Sequence, residues 1–127
     1  MVETITLDKL IDTSGMPSFI KIDVEGYEAE VMKGLNSKVP ILVFEANLPQ
    51  FAIETLACLK KLHEIDERAI FNYSASFAFA SGNFSTYHDF VKILSSISQP
   101  CIDIICIMSN YFEYYLKLPG GDQRLVI

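Results

Sequence analysis

The fold is decided by one stretch of the sequence, FIKIDVEGYE at residues 19–28. Its first six residues are apolar apart from Lys21 and Asp23. This pattern is typical of strands that are buried on both faces of a parallel sheet. Glu25 begins the exit turn, and a helix is predicted to follow over residues 27–35. The stretch therefore predicts a buried strand whose carboxyl end presents Asp23 and Glu25 in an active-site-like position.

The rest of the chain continues the alternation of strands and helices. Further strands are predicted at residues 2–7, 39–45, 70–73, 77–80 and 102–108, and further helices at residues 8–11, 49–63 and 86–97. This order is typical of an α/β fold with a mostly parallel sheet and flanking helices. It leaves the final strands free to run antiparallel.

The composition indicates one acidic globular domain. Half of the 127 residues are hydrophobic, which is enough for a packed core, and the formal net charge is −6. Because nucleic acid is polyanionic, we expect no nucleic-acid partner. Residues 1–110 are expected to form the domain, and residues 111–127 an aromatic segment and a loose tail.

The cysteines and the amino terminus predict a cytoplasmic protein. Cys58, Cys101 and Cys106 are odd in number and lie in apolar surroundings, so we interpret all three as buried, reduced thiols. The first residues lack the pattern of a signal peptide. The apolar stretches are far shorter than the roughly 20 residues that span a bilayer, so no membrane partner is expected.

Polar side chains follow two of the predicted strands. Asp23 and Glu25 come after one strand, and Glu45 and Asn47 come at the end of the next. Ligands of open α/β sheets bind outside the carboxyl ends of the strands, and neighbouring strands lie about 4.8 Å apart. These groups are therefore expected to converge. Lys21 lies deeper on the same face and is expected to pair with Asp23 or Glu45.

The same side chains also allow plainer roles. Asp23 and Glu25 could simply cap the following helix, where carboxylates are favoured. Lys21 could be a structural ion-pair partner, and Glu45 could order a loop. Glu28 would face the same rim from the start of the helix, and its plainer role is that of a solvent-exposed residue of the first helical turn.

Several motifs of other enzyme classes are missing from the sequence. It contains no G-x-G-x-x-G or G-x-x-x-x-G-K loop for a nucleotide phosphate and no G-x-S-x-G nucleophile turn. His63 is predicted to end a helix, where an imidazole is ordinary, and His88 is predicted to lie on a helix, so we expect neither one to be a general base.

The run KIDVEGYE at residues 21–28 closely resembles a signature of the FkbM-type methyltransferases. The segments TLDKL at residues 6–10, VPILVFE at residues 39–45 and DII at residues 103–105 also resemble that family. The resemblance covers about residues 2–108. It implies a Rossmann-like, S-adenosylmethionine-dependent methyltransferase that acts on a hydroxyl oxygen of a small molecule or sugar.

The resemblance also implies how the chain relates to the complete fold. Residues 19–24 would be the fourth strand and residues 39–45 the fifth, so Asp23 would lie where methyl donor and acceptor meet. The glycine-rich loop and the acid that hold the cofactor in such enzymes would both precede Val2. We therefore expect a partial fold, the carboxyl-terminal half of a methyltransferase domain, that binds S-adenosylmethionine weakly or not at all.

Three functional hypotheses follow. In the first, Asp23 and Glu25 position or deprotonate the acceptor of a methyltransferase, Glu45 and Lys21 support them, and Asp23 also contacts the cofactor. In the second, the chain is a non-catalytic interaction domain that self-associates or binds a separate cofactor-binding half through an exposed sheet edge. In the third, Asp23, Glu25 and Glu45 bind magnesium or calcium.

Overall fold

The structure, a computed structural model, describes residues 3–75 and 83–113. Its helices are α1 (Leu7–Ser14), α2 (Glu28–Lys33), α3 (Ala52–Ile65) and α4 (Tyr87–Leu94). Its strands are β1 (Ile20–Ile22), β2 (Ile41–Asn47), β3 (Ile70–Ser74), β4 (Ser85–Thr86) and β5 (Cys101–Ile107), and a short 3-10 turn follows at Ser109–Tyr111. The predicted strand at residues 77–80 and the predicted tail beyond residue 113 lie outside the described residues.

The strands form one five-stranded sheet in the order β1-β2-β5-β3-β4. β1 and β2 are parallel, whereas β5 is antiparallel to both β2 and β3, and β4 is antiparallel to β3. The prediction of a mostly parallel sheet is therefore wrong for most neighbouring pairs. The reason is that β5 lies between β2 and β3, which separates strands that point in the same direction. The mixed α/β architecture is consistent with a partial methyltransferase fold.

The main core lies between the sheet and the helices. Phe44 of β2 and Ile104 of β5 are fully buried there, against Leu59 and Leu62 of α3 and Phe90 of α4. Because side chains alternate along a strand, the other face of the sheet carries a second, smaller apolar cluster. Its buried members are Ile41, Val43, Ile105 and Ile107.

β1 differs from its prediction in length and in burial. It is the outermost strand, and its ladder with β2 runs only from Ile20 to Ile22. Lys21 is exposed, and Phe19 and Val24 at its two ends are also exposed. The prediction of a strand buried on both faces is wrong, because among the described strands only β2 packs beside it.

The amino-terminal segment forms a helix and no strand. The Thr6 hydroxyl accepts a hydrogen bond from the Lys9 amide at 3.1 Å, which caps α1 as predicted. The predicted strand at residues 2–7 is wrong over the residues that the structure describes. The start of α1 lies against the end of α2, because the Asp8 amide donates to the Gly34 carbonyl at 2.9 Å. A Cβ added to Gly34 would lie 2.9 Å from the Thr6 Cβ, so only glycine permits this approach.

The Asp8 carboxylate fixes α1 against the end of α2. It accepts hydrogen bonds from the backbone and side chain of Asn36 and from those of Ser37. The bond from the Asn36 amide makes the largest contribution to a lowered pKa of Asp8. The segment TLDKL thus has an evident structural role.

Helical spacing predicts that Ala52, Leu56, Leu59 and His63 share one stripe of α3. Leu56 is exposed, and Thr55 and Cys58 lie on the buried face of α3 instead. The cap of α4 is Thr86, whose hydroxyl accepts from the Asp89 amide at 3.4 Å, and the helix ends at Leu94. No described helix is long and apolar enough to cross a membrane.

All three cysteines are free, and their burial differs. Cys58 and Cys106 are buried as predicted, whereas Cys101 is exposed. The prediction for Cys101 is wrong because it is the first residue of β5 and lies at the end of the sheet, opposite the last residue of β2.

Asp66 ties the end of α3 to the end of β5. Its buried carboxylate accepts from the Ser109 amide at 2.6 Å, the Ser109 hydroxyl at 2.8 Å and the Arg68 amide at 3.1 Å, and Lys38 lies 3.7 Å away. Burial alone would raise the pKa of Asp66, but the bonds from Ser109 and Arg68 and the charge of Lys38 leave it lowered.

We expect Asp66→Asn to lower the free energy of unfolding by about 1–3 kcal/mol at neutral pH, because the buried donors of Ser109 lose a charged acceptor. A carboxyl whose pKa is lowered by folding stabilises the fold above its unfolded value of about 3.9. This contribution is lost as the pH falls through the lower folded value. Urea unfolding at several pH values measures it.

The matched control is Glu67→Gln, which neutralises an exposed acid next to Asp66 in sequence. It should leave stability within about 0.5 kcal/mol of the wild type. Equal stability of Asp66→Asn and the wild type at neutral pH would contradict the structural role of this carboxylate.

Candidate active site

Charged side chains gather where β1 and β2 reach their carboxyl ends. Glu45 of β2 and Asp103 of β5 lie directly opposite each other in the sheet. The Lys21 Nζ lies 3.7 Å from an Asp103 carboxylate oxygen. Asp23 is close enough to Cys101 for its charge to affect the thiol, and Cys101 pairs with Asn47 at the same end of the sheet. The structure therefore brings Lys21, Asp23 and Glu45 to one place.

Lys21 forms its ion pair with Asp103. Among the described residues, neither of its predicted partners, Asp23 and Glu45, forms an ion pair with it. The reason is that β5 packs beside β2 and presents Asp103 next to Glu45, within reach of the long lysine side chain. The side chains of Lys21 and Asp103 are 34% and 31% exposed. Such a pair contributes only about 0–1 kcal/mol to stability, so it mainly sets the local charge.

Glu45 is half-buried and already has two polar neighbours. Its carboxylate accepts from the Asn47 side-chain amide at 3.1 Å, and the Cys101 thiol also donates to it. Burial raises the pKa of Cys101, and the charges of Glu45, Asp103 and Asp23 raise it further. The charges of three carboxylates thus act on one thiol, and Lys21 is the cation paired with one of them, Asp103.

Glu25 lies in the tight turn that leaves β1. Its φ of 52° and the φ of 102° at Gly26 are both in the left-handed region. The Tyr27 amide donates to the Val24 carbonyl at 3.3 Å, which closes the turn. Glu25 is exposed, and among the described residues no hydrogen bond or ion pair joins it to Glu45.

Glu28 is buried, with only 5% of its surface exposed, and the prediction of a solvent residue is wrong. Its carboxylate accepts from the Val24 amide at 3.2 Å and from the Gly26 amide at 2.9 Å. The physical reason is that buried backbone donors of a tight turn need an acceptor. The available signal was the position of Glu28 two residues after the glycine of a tight turn, whose backbone amides need an acceptor.

Gly26 packs against an aromatic ring. A Cβ added there would lie 3.1 Å from the Phe51 ring, and its φ of 102° is one that other residues rarely adopt. Both the conformation and the contact therefore require glycine at this position.

A pocket lies beside the turn, between β2 and the starts of α2 and α3. It measures about 210 Å³ with the space that is open to solvent. It is lined by Glu28, Phe44, Glu45, Asn47, Phe51, Glu54, Thr55 and Cys58. Burial and the charges of Glu28 and Glu54 raise the pKa of Cys58 to about 12. This thiol therefore remains protonated at neutral pH and cannot act as a nucleophile.

The two histidines lie between α3 and α4. The His63 ring stacks on Tyr87 with ring centroids 4.2 Å apart, and His88 packs edge-on against His63 at 5.5 Å. Among the described residues neither is paired with a carboxylate, so they form no acid–base dyad.

The magnesium or calcium hypothesis finds no support in residues 3–75 and 83–113. No group of three or more His, Cys, Asp or Glu side chains in these ranges is placed to hold a metal ion. Lys21 also brings a positive charge to Asp103.

The pocket beside the glycine turn does not fit a whole S-adenosylmethionine molecule. The pocket is smaller than the roughly 300–1,000 Å³ of typical small-molecule sites. The two amides at the glycine turn, which could bind a ligand carboxylate, already donate to Glu28.

We expect Glu45→Gln to lower the pKa of the Cys101 thiol toward its ordinary value, because it removes a negative charge beside the sulfur. At a fixed pH the thiolate fraction then rises, by up to roughly tenfold per pKa unit. Iodoacetamide should alkylate the variant faster. Cys58 and Cys106 are buried, so the native chain reports Cys101 alone.

The control is Glu54→Gln, the same substitution at an acid that lies beside Cys58 instead. It should leave the alkylation rate of Cys101 unchanged. Equal rates for Glu45→Gln and the wild type would show that Glu45 does not contact this thiol.

Comparison with known proteins identifies the family. The family model described as "Methyltransferase FkbM domain" matches residues 1–93 of the 127. No curated protein and no solved structure matches the chain significantly. The matched region contains β1, the glycine turn, α2 and β2, which carry Lys21, Asp23 and Glu45. The chain therefore belongs to the FkbM-type methyltransferase family.

Proposed function

We propose that this chain supplies the acceptor side of an S-adenosylmethionine-dependent O-methyltransferase, with a hydroxyl group of a small molecule or sugar as acceptor. The observation that carries the proposal is the convergence of Asp23, Glu45 and Asp103 at the carboxyl edge of β1 and β2. Membership of the FkbM family supports methyl transfer as the reaction. The partial Rossmann-like fold is part of the same proposal.

The side chains of this edge suit the binding of a hydroxyl group. Asp23 is exposed and can accept a hydrogen bond from the acceptor hydroxyl, and it can take the proton when the oxygen becomes a nucleophile. Glu45 is half-buried and is held by Asn47, so it can orient the acceptor from the other side. Lys21 is paired with Asp103 and reduces the repulsion among the acids.

Two further roles complete the assignment. Glu25 is exposed on the turn that follows Asp23, and we assign it to positioning of the acceptor. Asp23 is also the residue that we assign to contact with the methyl donor. When bound, S-adenosylmethionine supplies the methyl group, and the side chains of this edge bind and orient the acceptor.

We expect S-adenosylmethionine to bind the 127-residue chain with a dissociation constant in the millimolar range or weaker. Directional, charge-assisted contacts contribute roughly 1.5–3 kcal/mol each. The amides of the described glycine turn already donate to Glu28, so they are not free to bind the carboxylate of the ligand. Every 1.4 kcal/mol lost is tenfold in affinity. Isothermal titration calorimetry measures the dissociation constant, and a micromolar value would contradict the expectation.

We expect Asp23→Asn to reduce methyl transfer by about a hundredfold or more, because the amide cannot take the acceptor proton. The assay supplies radiolabelled S-adenosylmethionine above its dissociation constant and a panel of sugars and hydroxylated small molecules. Asp12→Asn, which neutralises an exposed acid of α1, should keep the wild-type rate. Equal turnover of Asp23→Asn and the wild type would exclude Asp23 as the base.

A second candidate function is a non-catalytic interaction domain that depends on a partner. The observation that favours it is the position of β1, which is the outermost strand and pairs only with β2 among the described strands. Phe19 and Val24 are exposed at its two ends. Exposed strand edges recruit further strands, so the chain would self-associate or bind a separate cofactor-binding half.

Sedimentation distinguishes the two candidates. Concentration-dependent association in analytical ultracentrifugation, together with no methyl transfer to any acceptor, would favour the interaction domain. A strictly monomeric species would exclude self-association.

We also propose that the protein is cytoplasmic and that it has no nucleic-acid partner. The three free thiols support a reducing compartment such as the cytoplasm. The net charge of −6 supports the absence of a nucleic-acid partner.

A further inference from the structure

We propose that Glu28 is a positioning residue that fixes the turn at residues 24–27 and thereby holds Asp23 at the carboxyl edge of the sheet. The inference rests on the proposed function, because it assigns Glu28 to the ordering of that same site. The hydrogen bonds, the burial and the backbone angles that support this role are present without a bound ligand.

The contacts of Glu28 are those of a clamp on the turn. One carboxylate oxygen, Oε1, accepts from the Val24 amide at 3.2 Å, and the other, Oε2, accepts from the Gly26 amide at 2.9 Å. Glu28 is 5% exposed, and a buried carboxylate is costly without hydrogen bonds. One side chain therefore holds two backbone positions that lie on either side of Glu25.

The turn has a conformation that needs such support. Glu25 has a φ of 52°, in the left-handed region that residues with a Cβ rarely adopt. Gly26 continues it with a φ of 102°, packed against the Phe51 ring. Without the acceptor of Glu28, the two amides would lose their partner and Glu25 would be free to return to an ordinary backbone region.

Asp23 lies between two fixed points of the backbone. The ladder between β1 and β2 ends at Ile22, which pairs with Phe44. The next backbone hydrogen bond to a side chain is that of Val24 with Glu28. Asp23 is the only residue between them, so its position depends directly on the clamp.

The alternative is that Glu28 serves only as an acid in the first turn of α2. Glu30 provides the matched control, because it lies in the same turn, is exposed and pairs with Lys33 at 2.6 Å. Glu30→Gln removes the same charge from the same turn without touching residues 24–26. An effect specific to Glu28→Gln therefore reports the clamp and not the charge of the helix.

The first experiment is amide hydrogen exchange by NMR on the whole chain, without cofactor or acceptor. In Glu28→Gln we expect the Gly26 amide to exchange tenfold or more faster, while amides of the β2–β5 ladder keep their rates. Glu30→Gln should match the wild type at both places. An unchanged Gly26 rate, or an equal acceleration of every amide, would overturn the positioning role.

The second experiment reports where Asp23 lies. The charge of Asp23 disfavours the thiolate of Cys101, so release of Asp23 should let iodoacetamide alkylate Cys101 faster. Glu28→Gln should raise the rate in the wild-type background and should have no effect when Asp23→Asn is already present. The same increase in both backgrounds would overturn the link to Asp23.

If Glu28→Gln does not fold, a third variant tests the proposal. Glycine adopts a φ of 52° without strain, so adding Glu25→Gly should restore a folded chain. A double variant that remains unfolded would overturn the proposal. These measurements use the free chain, so they remain valid even if the chain transfers no methyl group. If they contradict the role of Glu28, the proposed methyl transfer is still tested by its own assay.

Discussion

The site depends on the buried carboxylate of Glu28 and on the hydrogen bonds that it accepts from two backbone amides. Glu28 joins Val24 and Gly26 across a turn that contains a left-handed Glu25. This single interaction fixes the direction in which the chain leaves β1 and enters α2. It also explains why the turn requires glycine beside Phe51, since a Cβ there would meet the ring. The exposed carboxylate of Asp23 is therefore presented by a rigid backbone and not by a loose loop.

The sheet supplies the other half of the site. β5 runs antiparallel between β2 and β3, and its first residues place Cys101 and Asp103 against Asn47 and Glu45. A strand from late in the chain thus completes an edge that begins near residue 20. The exposed position of β1 leaves Lys21 able to reach Asp103 across β2. Asp23 after β1, Glu45 of β2 and Asp103 of β5 thus lie at this edge together with one lysine, Lys21.

The sequence predicts local elements well and long-range contacts poorly. The run at residues 21–28 is sufficient for the strand, the turn, the helix and the family, and the parallel pairing of β1 with β2 follows from it. The place of β5 in the sheet was not predictable, because no local pattern states which strands pair. For that reason Asp103 was missed as the partner of Lys21, and Cys101 was wrongly assigned to the interior. The burial of Glu28 and its hydrogen bonds to the turn were not predicted, because helical periodicity describes side-chain faces and not the needs of a preceding turn.

The most direct test of this account is the scalar coupling across the hydrogen bond from Gly26 to Glu28. In a uniformly labelled chain, a coupling between the Gly26 amide nitrogen and the Glu28 carboxylate carbon appears only when the hydrogen bond is formed. The distance of 2.9 Å between the Gly26 nitrogen and Oε2 predicts a measurable coupling in the free protein. Absence of this coupling, with couplings within the β2–β5 ladder present in the same spectrum, would contradict the claim that Glu28 holds the turn.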